Sequence, residues 1–141
     1  MTTDRKSNDA FRTELASRMR ALSVAVFKFV DALPKKCSTT IIANQLGRAA
    51  SSMGANYIEA TRAESRADFG HKLQIALKEA AESCYWLEML VELYPMHATA
   101  ARLASECMTL RNLLQSIAKS VRMPKQPKHS KTQTPPTHDS P

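Results

Sequence analysis

The chain has 141 residues, a hydrophobic fraction of 43% and a formal net charge of +7. That is the length of one domain with enough apolar side chains for a core. Three glycines and the lack of alternating β-branched runs argue against a sheet. No apolar run reaches the ~18 residues of a bilayer-spanning helix, and the polar N-terminus has no signal-peptide core. The expectation is a cytoplasmic helical protein.

Residues 1–8 read as a flexible N-terminus and residues 9–121 as a four-helix bundle. The first helix is expected over about Asp9 to Leu33, capped by Asn8 or Asp9 and stopped by Pro34. Phe11, Leu15, Leu22, Val26, Phe29, Val30 and Leu33 form its apolar face. Arg12, Arg18, Arg20 and Lys28 occupy other faces, and Lys35 and Lys36 follow its end, where they would complement the helix dipole. The second helix, capped by Ser38, Thr39 or Thr40, runs to about Arg62. Its stripe is Ile42, Leu46, Ala49, Met53, Asn56 and Ala60. The small residues around Gly54 fit either close helix packing or an irregular turn.

Ser65-Arg-Ala-Asp68 is a capping-box pattern that opens the third helix, which ends near Tyr94 before Pro95. Phe69, Leu73, Ala76, Ala80, Cys84 and Leu87 form its core stripe. A second row of Tyr85, Trp86, Met89, Leu90 and Leu93 makes it apolar over more than one face. It is therefore either the central helix or a self-association surface through Tyr85, Trp86 and Met89. The fourth helix, from about Met96 to Val121, carries Leu103, Cys107, Leu110, Leu114, Ile117 and Val121 in a coiled-coil-like seam. Short connections imply antiparallel neighbours, up-down-up-down. The expected core is Leu22, Val26, Leu46, Met53, Phe69, Leu73, Leu77, Leu87, Leu110 and Leu114. Residues 122–141, rich in Pro and Lys, lack the apolar side chains that would repay ordering and read as a disordered tail.

Little in the sequence points to catalysis or a cofactor. Cys37, Cys84 and Cys107 are too dispersed for a zinc site, and Cys84 and Cys107 fall on apolar stripes as small hydrophobes. There is no phosphate-binding glycine loop, no H-E-x-x-H and no nucleophile elbow. Glu79 with Glu82, and Glu88 with Glu92, have the spacing of a solvated helix face. Asn56 and Glu59 stand out as polar residues beside a core stripe. A structural role is expected, with Asn56 satisfying backbone or fixing the register of a neighbouring helix; a polar pocket is the alternative. The stretch from Glu79 to Glu106 holds five acids (Glu79, Glu82, Glu88, Glu92, Glu106) against Arg102, so the positive charge lies elsewhere. That asymmetry fits an anionic partner or head-to-tail self-assembly.

The spaced set Gln45, Leu46, Arg48, Ala49, Ala50, Ala55, Asn56, Glu59, Asp68, Phe69, Ile75, Ala76 and Leu77 resembles the ribosomal-RNA intervening-sequence protein family of small four-helix bundles. Gly47, Gly54, Ala60 and Lys78-Glu79 depart from its common pattern, as in a divergent branch. The resemblance implies a ring, a pentamer by preference. It also implies a fold similar to the accessory variability protein of diversity-generating retroelements, a basic pentamer beside a reverse transcriptase and its RNA. The reading is a non-enzymatic homo-oligomer without cofactor or metal that binds nucleic acid, RNA by preference, or a nucleoprotein. Arg12, Arg18, Arg20, Lys28, Lys35 and Lys36 would make the phosphate contacts, with Lys125, Lys128 and Lys131 as a loose second set. The competing reading is a self-assembling scaffold that binds no nucleic acid.

Overall fold

The computed structural model describes residues 2–121, all helix and connection with no strand among them: α1 (Thr2–Ala32), α2 (Cys37–Thr61), α3 (Arg66–Leu93) and α4 (Ala98–Val121). The tail expected over 122–141, with Lys125, Lys128 and Lys131, lies outside the described residues. Each helix packs on its neighbours in chain order and α1 also meets α4, while the diagonal pairs make no close backbone approach. This is the up-down-up-down bundle that the short connections predict. α2 and α3 form its most extensive contact, and α1 against α4 its sparsest.

The four-three stripes converge as expected. Leu22, Val26, Leu46, Met53, Leu73, Leu87, Leu110 and Leu114 are buried in one core, whereas Phe69 and Leu77 are half-buried at its margin. Met19 and Tyr57 are buried in the same core. Gly54 answers the question posed by the small-residue run. α2 has no positive φ and stays regular through it. A Cβ built on Gly54 would sit 3.5 Å from Met19 Cβ, so the small residues let α1 approach closely.

Three boundaries differ from expectation. α1 begins at Thr2, not Asp9, although Thr3 to Glu14 are all exposed. Local helix formation therefore runs ahead of the apolar face, which takes hold at Leu15. At α2 the capping position belongs to Lys36. Thr39 lies one turn in, where its hydroxyl accepts from the Lys36 N–H at 2.9 Å and donates to the Pro34 carbonyl at 2.5 Å. It is thus a buried clasp on the α1–α2 turn. At α4 the helix begins at Ala98, after Met96. The α3 start agrees with the sequence: Ser65 Oγ accepts from the Asp68 N–H at 3.0 Å.

Candidate nucleic-acid interface

Arg20 and Lys28 are exposed on the outer face of α1 and border one depression, while Arg12 is also exposed but about 80° further round the helix, on the side of Tyr57 of α2. Arg20 and Lys28 are eight residues apart, about 12 Å along a helix. Between them Ser17, Ala21, Val24 and Ala25 line a shallow depression of about 390 Å³. Lys35 and Lys36 are exposed in the α1–α2 turn. They do not complement the end of α1, which stops at Ala32; they sit at the start of α2, whose first turn has no acidic residue. There the positive end of the helix dipole adds to two ammonium groups instead of offsetting them. None of these five cations has a carboxylate partner among the described residues.

Arg18 is different. Its Nε and Nη2 donate to Glu106 Oε1 and Oε2, both at 3.0 Å, in a bidentate pair between α1 and α4. The hydrogen bond to Glu106 raises the Arg18 pKa, burial opposing it. Most of the acidic segment is occupied in the same manner. Arg48 on α2 donates to Glu82 at 2.5 Å and to Glu79 at 3.4 Å on α3. The Arg48 hydrogen bond, assisted by one from Trp86, holds the Glu82 carboxyl below its ordinary range against a smaller opposing effect of burial. Glu88 and Glu92 have no ion pair among the described residues.

Asn56 and Glu59 do not form a shared site. Asn56 Nδ2 donates to Ser52 O at 2.9 Å and Ser52 Oγ at 3.1 Å, within its own helix, so it does not set register across helices. Glu59 accepts from Lys72 Nζ at 3.1 Å, joining α2 to α3 at the surface. Ser23 bridges helices instead: its hydroxyl lies 2.9 Å from Ala50 O across the α1–α2 contact. Nothing in the stripe pattern marked Ser23.

The second apolar row of α3 divides. Trp86 and Met89 are half-buried and pack against the core, while Tyr85 is 55% exposed and meets Trp86 edge to face with ring centroids 5.0 Å apart. Leu93 and Met96 extend this exposed apolar edge, Met96 at 96%. The sequence reading missed a second apolar area: Val24, Phe27 and Ile41 are each about half exposed on α1 and α2. Phe27 lies where a Cβ on Gly47 would meet its ring edge at 2.9 Å. The absence of a side chain at Gly47 was the available signal.

The model of the 23S rRNA-intervening sequence protein family matches residues 12–116. The chain belongs to this family. Among solved structures, it is similar to a protein of unknown function from the S23 ribosomal protein family of Bacteroides thetaiotaomicron. That likeness has 32% identity and a TM-score of 0.68, and it covers 77% of this chain and 97% of the other. No curated protein matches. The four-helix fold implied by the sequence resemblance is thereby shown. No helix among the described residues is long and apolar enough to cross a membrane.

Proposed function

We propose that this family member is a non-enzymatic, cytoplasmic, self-associating bundle that binds RNA through the outer face of α1 and the α1–α2 turn. One observation carries the reading. Arg12, Arg20, Lys28, Lys35 and Lys36 have no carboxylate partner among the described residues, while Glu79, Glu82 and Glu106 are engaged by Arg48 and Arg18. Arg62, Arg66, Lys78, Arg102, Arg111 and Lys119 also lack an ion pair among the described residues, but they are spread over α2 to α4, whereas α1 and the α1–α2 turn hold five such cations within 25 residues. RNA is preferred over DNA through the resemblance to the accessory variability protein, which works beside a reverse transcriptase and its RNA; the family's name, 23S rRNA-intervening sequence protein, is not itself a biochemical activity. A pentameric ring would repeat the patch and raise avidity without new contacts. A reverse transcriptase or another nucleoprotein partner follows from the fold-level resemblance to the accessory variability protein. Phosphate contacts carry little sequence information, so binding is weakly selective.

The test is an anisotropy titration with a labelled RNA at two salt concentrations. Affinity should fall steeply with salt, because each neutralised phosphate releases counterions. R20E/K28E should weaken binding at least tenfold at low salt, and R18A should leave it nearly unchanged. Equal affinity of wild type and R20E/K28E, or no binding at low salt, would overturn the reading. The exposed edge of Tyr85, Leu93 and Met96 favours the second reading, a scaffold that assembles without nucleic acid.

A further inference from the structure

Cys84 on α3 and Cys107 on α4 face one another inside the core, with Sγ atoms 3.2 Å apart. Cys84 is 3% exposed and Cys107 is fully buried. Small apolar side chains would satisfy packing at either position, yet two sulfurs meet. Metal binding is not what the pair is built for. No group of three His, Cys, Asp or Glu side chains among the described residues could hold an ion, and two donors fall short of the four that a structural zinc takes.

We propose that Cys84 and Cys107 are a thiol-oxidation site: they close reversibly into a disulfide that locks α3 to α4. The co-reactant is a low-molecular-weight disulfide, such as glutathione disulfide. The Cys84 thiolate attacks one sulfur of that disulfide, giving a mixed disulfide and releasing one glutathione thiolate. The Cys107 thiolate then attacks Cys84 Sγ, forming the internal S–S bond and expelling the second. Two protein thiols are oxidised, one disulfide is reduced to two thiols, and the two protein protons end on the released glutathiones. The order follows from access, since Cys84 has residual exposure and Cys107 has none. The Cys107 hydrogen bond favours the Cys84 thiolate and raises the pKa of the Cys107 thiol. Once Cys84 is in the mixed disulfide, that bond and the neighbouring charge are gone, and Cys107 can give its proton to the released glutathione thiolate before it attacks.

Closure to a bond of about 2.05 Å requires the two sulfurs to approach by roughly 1.2 Å. A glutathionyl group does not fit a packed core, so the first attack proceeds from a local opening of the α3–α4 pair. Oxidation is accordingly slower than reaction at the exposed Cys37. The bond closes a loop of 23 residues in sequence separation, and such a loop restricts the unfolded chain.

The experiment uses full-length C37S, which removes the exposed thiol. The folded protein is incubated with glutathione disulfide, then denatured, alkylated and weighed. The expected product has lost two hydrogens, takes up no alkyl group and yields a peptide linking Cys84 to Cys107. Its melting midpoint should rise by roughly 5–10 °C and fall back on reduction with dithiothreitol. C37S/C107S should show no such rise. Two alkylatable thiols after prolonged incubation, a persistent glutathione adduct, bonding between chains, or a bond that lowers the midpoint would each overturn the proposal.

Discussion

Glu82 joins two partners, the Arg48 guanidinium and the Trp86 indole N–H, and its folded-state pKa lies below the ordinary 4.5. A depressed carboxyl pKa contributes stability above the unfolded-state value and loses it as pH falls through the folded-state value. Glu82 is partly exposed, with 30% of its side-chain surface open, so the contribution is about 0.2–1 kcal/mol. E82Q should therefore be less stable than wild type at pH 7 by that amount, and the gap should close as pH falls below 4.5 through the folded-state value, to an acid pH at which Glu82 is protonated. Urea unfolding at both pH values checks this; a gap independent of pH would mean that Glu82 acts through packing. At this scale the sequence was least legible. Arg12, Arg18 and Arg20 are alike in one dimension, and only the fold brings Glu106 within 3.0 Å of Arg18. For Asn56 the sequence left two structural roles open, satisfying backbone or fixing the register of a neighbouring helix; its amide donates to the backbone of Ser52 one turn earlier, which is the first.

Helices were legible because their information is local. The Ser65–Asp68 cap, Pro34, Pro95 and the four-three stripes each dictate structure within a few residues, and the observed elements follow them. The role of Thr39 was not: its hydroxyl accepts from the Lys36 N–H as a third-position capping residue does, but it also reaches back to Pro34 O and so closes the α1–α2 turn. Gly54 offers a direct test of element-level packing. Its backbone is ordinary helix and an added Cβ would make normal contact with Met19 at 3.5 Å. G54A should then raise stability by about 0.5–1 kcal/mol through helix propensity. A fall in the urea midpoint would show that α1 approaches α2 more closely than this spacing. Gly47 is the contrasting case, because there Phe27 must move before any side chain fits.

For the whole molecule, composition sets the sign of the charge but not its distribution in space. The sequence separates an acidic stretch from a basic remainder. The fold folds much of the acid back onto Arg18 and Arg48, leaving Glu88 and Glu92 near the apolar edge of Tyr85, Leu93 and Met96. The self-association proposed above would use the exposed apolar side chains of this edge, Tyr85 and Met96 among them. Sedimentation velocity at micromolar concentration should give a species larger than the 15.7 kDa chain. Y85A/M96A should shift the distribution toward monomer without lowering the melting midpoint of that monomer, since both side chains are mostly in solvent. A wild-type monomer would count against self-association.

The early start of α1 has a consequence of its own. Opposite α2, Met19 lies beside Gly54, Ser23 beside Ala50 and Phe27 beside Gly47, so the end of α2 at Thr61 is level with about Arg12. The turns before it form a cantilever beyond α2, exposed from Thr3 to Glu14. A helix shorter than about 12–15 residues is marginal on its own, and this stretch must open and reclose far more often than the rest. Arg5, Lys6 and Arg12 give trypsin its targets there. Within residues 2–121, brief digestion should clip these sites first and leave a fragment that begins near Thr13 with its helical circular dichroism and melting midpoint almost intact. Early cleavage at Arg48 or Lys72 would mean that the bundle, not the cantilever, yields first.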